Sequence, residues 1–124
     1  MGFAEGEYHL ATTQGDRVRL WSARSITGLK NARPATIWEK GRGVWAAEFH
    51  ELEYQGRKRW FCYFTKTDGA DERHRMFAMA SKTGSIKGPY ETPWQLRTDA
   101  DDRDYAIDGT VMELGGNLYF LWAG

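Results

Sequence analysis

The chain has 124 residues, enough for one domain with a modest core, and its 17 basic and 17 acidic residues cancel. That balance argues against electrostatic capture of nucleic acid or of an anionic membrane and toward a neutral partner. No run approaches the roughly 18 apolar residues that span a bilayer, and Met1-Gly2-Phe3 does not begin a signal peptide, so a soluble chain with no export signal of its own is expected.

Six Trp, six Tyr and six Phe fall mostly in short runs between Gly, Asp and Asn, with no helix-period segment of useful length. That pattern predicts an all-β chain. In chain order, Tyr8 to Thr13 reads as a strand, Gln14-Gly15-Asp16 as a turn and Arg17 to Ser22 as its partner. A loop from Ala23 to Ala32 leads through Pro34 to a short run ending at Trp38, and Gly41 and Gly43 mark a break. Val44 to Tyr54 and Lys58 to Thr65 form a second hairpin about Gln55-Gly56-Arg57, followed by a polar loop, Lys66 to Glu72. Arg73 to Ser81 is another strand, and the chain returns through Gly88-Pro89-Tyr90 and Pro93 to a short edge run at Trp94. After an acidic loop, Asp99 to Asp104, come Ile107 to Leu114, the turn Gly115-Gly116-Asn117 and Leu118 to Trp122. Gly and Asn accept the positive φ that tight hairpin turns require.

These pieces repeat. Tyr8–Thr13, Arg17–Ser22 and the loop to Trp38 overlie Trp60–Thr65, Arg75–Ser81 and the loop to Trp94, with Trp38 and Trp94 offset by 56 residues. Glu51-Leu52 overlies Glu113-Leu114, an offset of 62. A period of this size with four short strands is the signature of a β-propeller blade. The expected arrangement is a partial propeller domain over 1–124. Residues 1–43 hold the last three strands of one blade, 44–98 a complete second blade, and 99–124 the first two strands of a third. Propellers close with four to eight blades, so open edges and apolar faces are expected here, and with them self-association into a ring as one reading.

Several motifs in this order make the chain similar to glycoside hydrolase family 43, and closest to its arabinofuranosidase-like members. They are Gly15-Asp16 with Val18 to Ser25; Leu29 to Ala32; Val44 to Leu52, similar to the family's Trp-Ala-Pro-Glu strand; His74-Arg75-Met76; Gly88-Pro89-Tyr90; and Ala106 to Gly124. Ala47 departs from the pattern, standing where the family has Pro. The resemblance implies a five-bladed propeller that hydrolyses arabinofuranosyl or xylosyl linkages in plant polysaccharide, in a family often secreted or periplasmic. It implies inversion by three acids: an Asp base, an Asp that orients and tunes, and a Glu acid. Inversion sets base and acid roughly 6.5–9.5 Å apart, with a neighbouring carboxylate helping to keep the acid protonated.

Asp108, in Ile107-Asp108-Gly109, matches the tuning Asp. By the family pattern the base would fall just before Met1 and the acid after Gly124, and the family's central His has no match, so the isolated chain is expected to be inactive. The candidate substrate-binding residues are Trp45, Glu48 and Ile107. Each has a plainer reading: Asp108 as a turn Asp bonding nearby backbone, Glu48 as half of a blade-to-blade salt bridge, Trp45 as core. The repeat bears on the first, because Asp108 overlies Ala46, so the fold does not require an acid there. The alternative function is a non-catalytic carbohydrate-binding or structural propeller fragment.

Trp21, Trp38, Trp60, Trp94 and Trp122 are expected to pack between blades, and Cys62 to be a buried inert thiol. Arg73-His74-Arg75 reads as a solvated strand end. Neither cofactor nor metal is expected: the three His are scattered, and Asp99 to Asp104 lacks the Gly and distal Glu of a calcium loop.

Overall fold

In a computed structural model, which describes residues 1–101 and 103–124, the chain forms three antiparallel sheets. The first is ordered β1 (Gly2–Ala4), β2 (Glu7–Thr13), β3 (Val18–Ala23), β4 (Ala35–Trp38). The second is β5 (Trp45–Tyr54), β6 (Arg57–Lys66), β7 (Arg75–Ala80), β8 (Trp94–Gln95), and the third pairs β9 (Ile107–Leu114) with β10 (Asn117–Ala123). This is the all-β, part-propeller architecture expected from the sequence. Among the described residues no helix is long and apolar enough to cross a membrane.

The first sheet has four strands where three were expected. The added strand, β1, is only three residues long, too short for alternation to reveal, and pairs Phe3 with Tyr8. It turns into β2 at Glu5-Gly6, with φ of 54° and 78°. Gln55-Gly56 (52° and 76°) and Gly115-Gly116 (58° and 78°) make the same left-handed turn between β5 and β6 and between β9 and β10. The turn is anchored from the second sheet, where the Ile86 amide donates to the Glu5 carboxylate (2.8 Å) and Lys87 pairs with Glu7 (2.6 Å).

A second repeated feature lies at the other end of the same strands. Trp45 stands opposite Thr65 and Glu48 opposite Tyr63, so Ala46 and Ala47 together face Phe64. Ile107 stands opposite Ala123 and Thr110 opposite Leu121, so Asp108 and Gly109 together face Trp122. Each is a bulge of two residues against one, and its first residue takes a positive φ, 45° at Ala46 and 52° at Asp108. The two bulges are 62 residues apart, the offset that the sequence repeat has in this region.

The core lies in two layers with the second sheet between them. Val18, Val44, Cys62, Phe64 and Met79 fill the layer toward the first sheet; Tyr63, Met76, Ala78 and Ala106 fill the one toward the third. Along β6 the alternation sends Cys62 and Phe64 one way and Tyr63 the other. Trp38 packs on Phe64 (centroids 5.0 Å apart) and Tyr63 on Phe120 (5.4 Å).

Not every Trp packs between sheets. Trp94, on a two-residue edge strand, is 42% exposed, and Trp122, on β10, is 45% exposed. The overlay of Trp38 on Trp94 also slips: Trp38 pairs with Val18, the first residue of β3, but Trp94 with Ala78, the fourth of β7. Met112, Leu114, Leu118, Tyr119 and Leu121 leave further apolar surface exposed on the third sheet.

Candidate functional site

Strands β5 and β9 both begin at the end of the molecule opposite the three left-handed turns. Backbone bonds knit that end together: the Val44 amide donates to Gly15 O (2.9 Å), Thr67 to Arg42 O (3.0 Å) and Ala106 to His74 O (3.1 Å). The candidate residues sit where these segments meet.

Asp108 is exposed at the β9 bulge, and among the described residues its carboxylate has no hydrogen bond or ion pair. The plainer reading, an Asp tied to nearby backbone, is therefore not what the structure has. Asp tolerates the left-handed region better than most residues, which fits it to the bulge. Ile107, just before it, is half-buried and paired with Ala123. At the equivalent place on β5, Trp45 is 36% exposed and lies with one face on the His74 ring, centroids 3.6 Å apart and planes 20° from parallel. A Trp backed by another ring presents a flat apolar surface of fixed orientation, the kind that packs on carbohydrate C–H groups.

Glu48 joins the two strands. The Thr110 hydroxyl donates to its Oε2 at 2.6 Å, and His50 lies at 2.8 Å from the same oxygen. Partial burial pushes the Glu48 carboxyl up, but the bonds from Thr110 and His50 outweigh it and leave the group below its ordinary value. Where the plainer reading has a blade-to-blade salt bridge, the structure has a hydrogen bond between positions that the repeat overlays, 48 and 110, and the other partner, His50, lies in the same strand as Glu48. A carboxylate so held is suited to accepting hydrogen bonds, not to donating a proton.

His74 is the residue that the sequence reading missed. Far from lying on a solvated strand end, it is 0% exposed, with Nδ1 2.7 Å from Asp71 O and Nε2 2.9 Å from Gly43 O. The signal was its parity: His74, Met76 and Ala78 are spaced by two, and the last two are plainly apolar. The adjacent arginines hid it. Gly43 makes the approach possible, since at φ 53° a Cβ there would stand 2.7 Å from Nε2.

A family model, Glycosyl hydrolases family 43, matches residues 3–124. The chain belongs to glycoside hydrolase family 43. This family 43 chain is 31% identical over 130 residues to α-L-arabinofuranosidase B of Pyricularia oryzae, covering 95% of the chain and 25% of that protein. It is 29% identical over 129 residues to the extracellular exo-α-(1→5)-L-arabinofuranosidase of Streptomyces chartreusis, covering 96% and 38% respectively. The crystal structure of an α-L-arabinofuranosidase from Lactobacillus brevis superposes with a TM-score of 0.80 at 26% identity, over 97% of the chain and 41% of that structure. The chain thus spans less than half the length of each of these relatives.

A cavity of about 320 Å³ lies between the first and second sheets, away from Asp108, with Phe3, His9, Glu48, His50 and Trp60 among its lining. Asp108 instead stands on an open rim. Cys62 is buried, and burial pushes its thiol well up, the inert state expected of it. Asp99 accepts from the amides of Arg103 and Asp104 and so holds its own loop; Asp102, part of the acidic run, lies outside the described residues. Among the described residues no three His, Cys, Asp or Glu are grouped to hold a metal.

Proposed function

We propose that the chain forms part of an inverting glycosidase acting on arabinofuranosyl or xylosyl linkages in plant polysaccharide, and that Asp108 is the carboxylate that orients and tunes the acid. The observation that carries the reading is Asp108 itself: an exposed carboxylate without a partner among the described residues, at a bulge whose equivalent one unit earlier is Ala46. An acid at a place where the preceding unit has Ala is not required by the fold, which supports a role for it outside the fold. The names of the relatives, α-L-arabinofuranosidases, support the sugar class, and the word extracellular in one of them supports a secreted location.

Trp45 supplies the platform for the sugar, with Ile107 beside Asp108 and Glu48 as an acceptor for sugar hydroxyls. The family pattern matches one of its three acids within these 124 residues, so the chain by itself binds without turnover. Titration with methyl α-L-arabinofuranoside and with xylobiose, followed by NMR at the Trp45 indole N–H and at the backbone amides of residues 107–110, the amides serving for the variant as well, tests this. One of the two sugars should shift these signals in the wild-type chain and leave Trp45→Ala without detectable binding. No shift with either sugar, or unchanged binding by Trp45→Ala, would remove the basis of the proposal.

A further inference from the structure

We infer that His74 is the positioning residue of this site: one buried imidazole fixes both the Trp45 platform and the start of the strand that carries Asp108. What is positioned rests on the carbohydrate reading above; the positioning itself rests on geometry alone.

Three segments converge on His74. Its Nε2 reaches Gly43 O, two residues before Trp45, and its face carries the Trp45 ring. Its Nδ1 reaches Asp71 O, which fastens the ring to its own loop. Its carbonyl accepts from the Ala106 amide, two residues before Asp108, and the Tyr105 ring meets the imidazole edge-on at 6.2 Å. Carbonyls only accept, so the ring nitrogen that carries hydrogen donates to the carbonyl it faces. With its ring fully buried, the side chain has no freedom to follow a shift of either strand.

The repeat separates this role from scaffolding. One sheet earlier the same junction is closed by Val44 donating to Gly15 O, at 2.9 Å against 3.1 Å for Ala106 and His74. Gly15 has no side chain, so the fold makes the backbone link without a ring. The imidazole, like the Asp108 carboxylate, is added to the scaffold at the junction that bears the candidate site. Gly43 is its counterpart, leaving the space that the ring occupies.

The test uses the ¹⁵N-labelled chain, His74→Phe, which keeps a flat ring and loses both ring nitrogens, and His74→Gln, which returns an N–H donor. In His74→Phe the amide signals of residues 43–45 and 105–109 should move while those of the Gln55-Gly56 and Gly115-Gly116 turns stay. Affinity for methyl α-L-arabinofuranoside should fall at least tenfold and recover in part in His74→Gln. Unmoved Trp45 and Asp108 amides, or an affinity within twofold of wild type, would overturn the inference. If the wild-type chain binds no sugar, the carbohydrate reading fails by itself, and the amide shifts still decide whether His74 holds the two strands. If His74→Phe does not fold, His74→Gln decides: moved signals at residues 43–45 and 105–109 with the two turns unmoved support the bridge, and unmoved Trp45 and Asp108 amides overturn it.

Discussion

Asp108 and Ala46 occupy the same backbone state for different reasons. A left-handed conformation costs an ordinary L-residue on the order of 1–2 kcal/mol, less for Asp and Asn, and little for Gly. Ala46 bears that strain, so Ala46→Gly should raise stability by about 0.5–1 kcal/mol in urea unfolding, while Ala78→Gly, in the fully buried β7 core, should lower it. Asp108→Asn keeps the tolerated conformation and removes a charge with no partner among the described residues, so it should leave stability within about 0.5 kcal/mol of wild type. A larger loss would mean that the acid belongs to the fold after all. Glu48 differs. Its carboxyl lies lower in the folded chain than in the unfolded, so the stability it adds is present above the unfolded value and lost as pH falls through the folded one. Thr110→Val should cost at most about 1 kcal/mol near neutrality, because the pair is half exposed, and the gap between variant and wild type should narrow on acidification. At this scale the repeat and the motifs mark Asp108 and Trp45 in the sequence as the residues proposed for the site. His74 was not legible, since charge and neighbours describe a residue's chemistry and not its burial.

Between strands, the bulges and turns set where those residues stand. Gly109 shows how tightly β9 is enclosed: a Cβ there would lie 2.4 Å from Phe120 Cζ, on its partner strand β10, and 2.6 Å from Met76 Cε, in the second sheet. Gly109→Ala should therefore destabilise by about 1–3 kcal/mol through overpacking. Gly84→Ala, with nothing within 4 Å of the added carbon, should be close to neutral in the same urea titration. The hairpins were legible from Gly-containing turns flanked by apolar runs. The bulges were not, because no residue type announces them: one begins with Ala, the other with Asp. β1 was missed for lack of length, although Glu5-Gly6 resembles Gln55-Gly56 closely enough to have flagged its turn. The slip of Trp94 against Trp38 has a similar cause, since a loop of free length can deliver the same residue type to a different register.

For the whole molecule, the sequence repeat gives the order of the sheets, and packing gives the two core layers on either side of the second. The third sheet has two strands where its neighbours have four, and its exposed Leu, Tyr and Trp side chains are as apolar as those that the other sheets bury. Membership of family 43 follows from a match over nearly the full chain, while the relatives are each more than twice as long. On the proposed reading the site holds one exposed carboxylate of the three, Asp108, and a second carboxylate, Glu48, accepts from Thr110 and lies against His50. The inverting mechanism proposed above needs a base to activate water and an acid to protonate the leaving oxygen, and the tuning role proposed for Asp108 supplies neither. The most direct measurement is release of p-nitrophenol from p-nitrophenyl α-L-arabinofuranoside by the purified 124-residue chain. No release above the buffer rate is expected, and release that disappears in Asp108→Asn would contradict the account by showing that the chain holds a complete site.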